Sequence, residues 1–138
     1  YSSCEGAIKI DNLKDFCKEK KIPCLGLSDT SNLCGALEFA ENISKVGTQP
    51  IIGTQIYFRF EDTTGLLPLI ALNENGYKKI IELSSRSYLE NDALSDPHLD
   101  IKELLIDTEG VSLLSGTIQG LFGKLFEKGR LDEISKLY

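Results

Sequence analysis

The sequence predicts an α/β fold of mostly parallel strands with alternating helices, its sheet either open or closed into a barrel. Short apolar runs rich in Val and Ile alternate with stretches of 3.6-residue periodicity, the order in which β-α units are written. The 138 residues are 41% hydrophobic and 26% charged, which suits one soluble domain with a real core.

Asp11 suits an N-cap, and Leu13, Phe16 and Cys17 form a stripe that ends in Lys18, Lys20 and Lys21, cations favoured at a helix C-terminus. Pro23 then stops the helix. Cys24 to Ser28 reads as a short buried strand. Ser31 or Asn32 then caps a helix with Leu33, Ala36, Leu37, Ala40 and Ile43 on one face, closed by Gly47. Pro50 to Phe60 is β-rich and Leu66 to Leu72 is a further strand, with Asp62, Thr63, Thr64 and Gly65 as the turn of a hairpin between them.

A helix follows with Tyr77, Ile80, Ile81, Ser84 and Tyr88 on one face, then a polar loop from Glu90 to Pro97 and a short helix that Asp100 caps. Val111 to Leu114 is another strand. Ile118, Leu121, Phe122, Leu125 and Phe126 recur at helical spacing, Gly129 breaks the pattern, and Leu131, Ile134 and Leu137 mark a last amphipathic segment. These stripes read as core rather than function. On that reading Leu37→Ala removes a core side chain at a cost of about 2 to 5 kcal/mol, while His98→Ala changes little.

Composition excludes several classes. No run approaches the roughly 18 apolar residues of a membrane span, and no basic, hydrophobic leader opens the sequence, so a cytoplasmic protein without a membrane partner is expected. The net charge is -6 and the Lys and Arg are scattered, which places the main grip of any nucleic-acid-handling parent outside this segment. Cys4, Cys17, Cys24 and Cys34 match no C-x-x-C pattern and read as buried or half-buried free thiols in a reducing compartment.

In a sheet of this kind the chemistry sits at strand C-termini, here Ser28 to Asn32, Gly53 to Tyr57 and Ser115 to Thr117. Leu27-Ser28-Asp29-Thr30-Ser31-Asn32-Leu33-Cys34-Gly35-Ala36-Leu37-Glu38-Phe39 puts a polar cluster where a strand ends and a helix starts. It resembles the T-D-H-G-N-x-x-G-x-x-x-F element of the polymerase and histidinol phosphatase (PHP) domain, as that family occurs at the N-terminus of bacterial DNA polymerase III alpha subunits. Tyr1 to Ala7 resembles the family's Y-S-x-x-[DE]-G-A, and Gln49 to Tyr57 its K-P-I-I-G-x-E-x-Y. Leu69 to Tyr77 is similar to its strand ending in Asn-x-x-G-Y, and Leu113 to Thr117 to its L-x-[ST]-G-C. Together these motifs run the length of the chain in order.

The resemblance implies a distorted β/α barrel of which residues 1–138 are a single PHP-type domain, incomplete at both ends, with the first strand and closing units missing. It also implies clustered His, Asp, Glu and Cys side chains holding divalent metals that activate water against a phosphoester. This chain departs from that pattern: Thr30 stands at the family's His, Gln55 at its Glu and Thr117 at its Cys. Glu5 matches the family's acid, and Asp29 completes the remnant of the site. An H-x-H pair is expected upstream of Tyr1. Hydroxyls and an amide lack the charge and basicity that a metal cluster needs, so no catalytic residue and no bound metal are expected in this segment.

His98 lies in a loop away from these strand ends and reads as exposed or capping. Ser2 and Ser28 have no neighbouring base, and no glycine-rich phosphate loop is present. The resulting expectation is a catalytically silent module of a replicative polymerase that docks the proofreading exonuclease subunit. Mg²⁺ and DNA would be handled by other domains of the parent alpha subunit. An active metal-dependent phosphoesterase or proofreading nuclease, and a free-standing α/β binding protein, are the rival readings.

Overall fold

A computed structural model describes residues 8–92 and 94–137. The elements alternate as α1 (Ile10–Lys20), β1 (Cys24–Thr30), α2 (Ala36–Ser44), β2 (Gln49–Phe60), β3 (Thr63–Ala71) and α3 (Glu74–Leu89). They continue as β4 (Leu99–Asp100), α4 (Ile101–Leu105), β5 (Val111–Leu113), α5 (Leu121–Glu127) and α6 (Leu131–Leu137).

β1 pairs with β2 in parallel from Cys24↔Gln49 to Thr30↔Gln55, and β2 and β3 form an antiparallel hairpin from Gly53↔Ile70 to Phe60↔Thr63. β3 pairs antiparallel with β5, and β4 joins β2 in parallel at Phe58 and Arg59, on the edge that β1 has left. β1, β2, β4 and β5 therefore run one way, and among the described strands β3 alone runs against them. The α/β class and the mostly parallel strand direction are as the alternation predicts.

The period of two sorts each strand into two faces. Ile56 and Phe58 of β2 and Leu67 and Leu69 of β3 are buried against Ile80 and Leu83 of α3, Ile101 and Leu104 of α4, and Leu121, Phe122 and Leu125 of α5. Ile52 of β2 and Leu25 and Leu27 of β1 pack in the same way on a second cluster, Ile10 and Cys17 of α1 with Phe39 and Ile43 of α2. Both clusters lie on one face of the sheet. The opposite face carries Ser28, Thr30, Gln55, Tyr57, Leu66, Pro68 and Ile70, all half-buried.

Several expected details are corrected. Leu37 is 72% exposed, because α2 starts at Ala36 rather than just after Ser31 or Asn32 and buries Ala36, Phe39 and Ile43. One residue on from Ala36, Leu37 is turned about 100° away from that stripe. Asn32 caps a turn instead of the helix, its Oδ1 accepting the Cys34 N–H at 3.0 Å. Phe16, Ile81, Tyr88, Ile118 and Phe126 likewise point outward, while Leu83 and Ser87 take the buried places on α3. α1 begins at Ile10 with Lys9 as N-cap, so Asp11 falls in its first turn. The hairpin turn narrows to Glu61 and Asp62, since Thr63 already pairs with Phe60. β1 runs on to Thr30 and is only partly buried, which leaves Cys24 exposed, and Cys34 in the turn before α2 is exposed as well.

The Asn-x-x-Gly-Tyr segment has a physical explanation. Asn73 caps α3, its Oδ1 accepting the Gly76 N–H at 2.9 Å. A Cβ on Gly76 would stand 1.7 Å from the Gly110 carbonyl oxygen, which also accepts the Leu72 N–H at 2.8 Å. Glycine at this position lets the start of α3 touch the backbone just before β5.

The tail helices are tied to the hairpin by charge. Arg130 pairs with Glu61, Asp62 and Glu133, and Lys128 donates to Thr63 Oγ1 at 2.6 Å and reaches Asp62 at 3.3 Å. The Arg130 hydrogen bond, then that of Lys128, holds the Asp62 carboxyl down at about 2. A carboxylate depressed in the fold contributes above its ordinary value of 3.8 and loses that contribution as pH falls toward 2.

Three outcomes follow. In urea unfolding, Phe39→Ala costs about 3 to 5 kcal/mol while Leu37→Ala stays within about 0.5. Gly76→Ala destabilises despite the better helix propensity of alanine, with amide exchange in α3 accelerated. With Arg130→Gln, a carbon NMR titration finds the Asp62 carboxyl returning toward 3.8, and the acid-dependent loss of stability below that pH shrinks.

Candidate functional site

Strand register assembles the three segments expected at the active face. Parallel pairing sets Thr30 beside Gln55, antiparallel pairing sets Gln55 beside Pro68, and the Pro68 carbonyl accepts the Leu114 N–H at 2.9 Å. One row thus crosses the sheet from the end of β1 to the end of β5. Gly116 lies against it, since a Cβ there would meet Pro68 Cδ at 3.4 Å, and its φ of +77° suits glycine.

The row is tied down largely by backbone. Ser31, at φ 56°, donates its N–H to the Gln55 carbonyl at 2.7 Å, and Asn32 Nδ2 donates to the Thr30 carbonyl at 2.8 Å. The Gln55 amide donates to the Ser28 carbonyl at 3.5 Å. Thr117 is exposed and its hydroxyl accepts the Gln119 N–H at 3.2 Å, starting the turn into α5. Ser28 shares the face of Thr30, and its Oγ is buried without a hydrogen-bond partner among the described residues.

Asp29 is set apart from this row. It is 5% exposed and pairs in register with Thr54, so alternation turns it to the helix-covered face. Thr54 closes that side, its hydroxyl 2.8 Å from the Asp29 carbonyl and 3.0 Å from that of Asn32. Thr30 and Gln55 are therefore brought together, Ser115 to Thr117 is brought to the same row, and Asp29 is not. Glu5 and the Tyr1 to Ala7 motif lie outside the described residues.

The chemistry of the donors decides what the row can hold. Thr30, Gln55 and Thr117 offer neutral oxygens, and no three His, Cys, Asp or Glu side chains converge on a possible ion site among the described residues. A group of divalent metals needs anionic or imidazole donors to offset its charge. The described residues do not fit such a cluster.

A second feature lies farther along the same face. Tyr57, two residues beyond Gln55, lines a cavity of about 470 Å³ with Thr64, Ser95, Asp96, His98 and Lys124. His98 is half-buried rather than exposed, with Nδ1 2.8 Å from the Asp96 carbonyl and its own carbonyl accepting from Asn91 Nδ2 at 2.6 Å. Sequence reading passed over Lys124 because it belongs to a helix read for its apolar stripe. The folded hairpin is what brings it to Tyr57.

Comparison with known proteins places this geometry. The PHP domain profile matches residues 1–138. The chain belongs to the PHP domain family. Among its relatives, the DNA polymerase III subunit alpha of Caulobacter vibrioides is 38% identical over 144 residues, covering 98% of this chain and 12% of that protein. That of Rickettsia felis is 35% identical over 125 residues, covering 90% and 10%, and that of Vibrio cholerae 30% over 139 residues, covering 99% and 12%. This PHP chain thus spans about 12% of the length of the first of these relatives. A solved chain from Bifidobacterium adolescentis, assigned as a metal-dependent phosphoesterase, overlays 62% of this chain and 29% of its own length. Its identity is 15% and its TM-score 0.47, too loose a match to argue from. No helix among the described residues is long and apolar enough to cross a membrane.

Proposed function

We propose that this chain is the PHP segment of a bacterial DNA polymerase III alpha subunit and serves that polymerase as a scaffold, without phosphoester chemistry of its own. One observation carries the reading: Thr30 and Gln55 sit side by side on the face where the family would place metal ligands, and both are neutral. Similarity to three polymerase alpha subunits over nearly the whole chain supports the parent assignment.

On this reading the residues of the row act by position. Thr30 and Gln55 take their places from the β1–β2 register that the core sets, and Gly116 allows the chain to turn toward α5 over Pro68. The proofreading exonuclease subunit is the proposed partner of the outer surface, and the outward apolar side chains Leu37, Ile81, Tyr88 and Leu89 leave room for such a contact. DNA and Mg²⁺ belong, in this proposal, to the polymerase domains of the parent chain, and the setting is cytoplasmic.

Metal analysis of the purified full-length chain, with an assay on a mismatched primer after the polymerase active site is disabled, tests the proposal. The expected result is no stoichiometric zinc or manganese in the PHP segment and no cleavage. Thr30→His combined with Gln55→Glu should raise metal content above that of the parent. Stoichiometric metal together with mismatch cleavage in the unaltered chain contradicts the scaffold reading and supports a proofreading nuclease.

A further inference from the structure

Lys124 of α5 is a half-buried cation with no ion pair among the described residues. Its Nζ donates to the Thr64 carbonyl at 2.7 Å, which uses one of its three protons. The carboxylates of the adjoining hairpin turn, Glu61 and Asp62, are engaged by Arg130 and Lys128 instead. Taking an ammonium partly out of water is unfavourable until an anion or further acceptors offset it.

The surroundings of Lys124 indicate which anion. The cavity of about 470 Å³ is lined by Tyr57, Thr64 and Ser95, each of which carries a hydroxyl, together with His98. The Asp96 carbonyl only accepts, so His98 Nδ1 donates to it at 2.8 Å, and Nε2 remains to accept from a protonated oxygen or, when the ring is charged, to donate. Donors around one cation match a tetrahedral oxyanion better than a planar carboxylate, and the volume falls in the range of small-ligand pockets. Asp96 lines the same space and its carboxylate would oppose an anion, but it is exposed and makes no ion pair with Lys124.

We propose that this cavity is an oxyanion site for a small phosphate ester of mononucleotide size, with Lys124 as counter-charge, His98 and Ser95 as polar contacts and the Tyr57 ring as a surface for the organic group. A nucleic-acid strand is the weaker candidate: the chain carries a net charge of -6 and the lining residues include a single lysine. The site is independent of the missing metal ligands and of which parent protein carries the segment.

Acetylation footprinting of the full-length chain, read by mass spectrometry at Lys124, tests the proposal. Inorganic phosphate, deoxyadenosine monophosphate and a single-stranded oligonucleotide are titrated separately, with chloride holding ionic strength constant. The monophosphate should protect Lys124 severalfold and saturably, inorganic phosphate should do so more weakly, and Lys45 and Lys78 should be unaffected. Asp96→Asn should lower the concentration needed for half-protection, and His98→Gln should raise it by about tenfold, the value of one charge-assisted hydrogen bond. The proposal is overturned if Lys124 is already unreactive without ligand, if phosphate and monophosphate leave it unprotected, or if only the oligonucleotide protects it.

Discussion

β2 is the strand on which every other part of the described fold depends, because both of its edges are used. One edge takes β1 and then β4, and the other takes β3 along most of its length. A strand paired on both sides has no freedom to slip, since a shift of one residue would move Ile56 and Phe58 out of the core and bring Gln55 and Tyr57 into it. The register Thr30↔Gln55 is therefore fixed by the burial of other residues, and the candidate site inherits its geometry from the core.

On the proposed scaffold reading, that dependence accounts for a site that keeps its shape with neutral side chains at Thr30 and Gln55. Hydroxyl and amide side chains fit the space at Thr30 and Gln55, and the surrounding turn is closed by a backbone hydrogen bond from Ser31 and a side-chain one from Asn32. Neutral side chains at these positions cost no core contact, because the core lies on the other face of the sheet. The same separation of faces leaves the opposite side of the sheet available for a different ligand, as the half-buried Lys124 suggests.

Much of this was legible in the sequence, and the limits have physical causes. The hairpin, the α/β alternation and the cap at Asp100 leave local signals, in alternation, turn residues and an Asx side chain. Helix phase was harder to read: Leu37 has the right composition for a core position and the wrong angle, because a start shifted by a few residues rotates the whole stripe. At the site, the place of Thr30 at the end of β1 could be inferred from motif order, but Gln55 falls midway along β2 rather than at its end, and the turning of Asp29 to the opposite face required the register. The Lys124 cavity left no sequence signal at all, since its walls come from the hairpin, the 94–98 loop and α5, far apart in the chain.

The central claim is that the neutral row at the end of β1 holds no metal cluster. Anomalous scattering from crystals of the full-length chain soaked in manganese addresses it most directly. The account predicts no peak beside Thr30, Gln55 or Thr117, even where manganese occupies sites elsewhere in the chain; peaks within bonding distance of those side chains would contradict it.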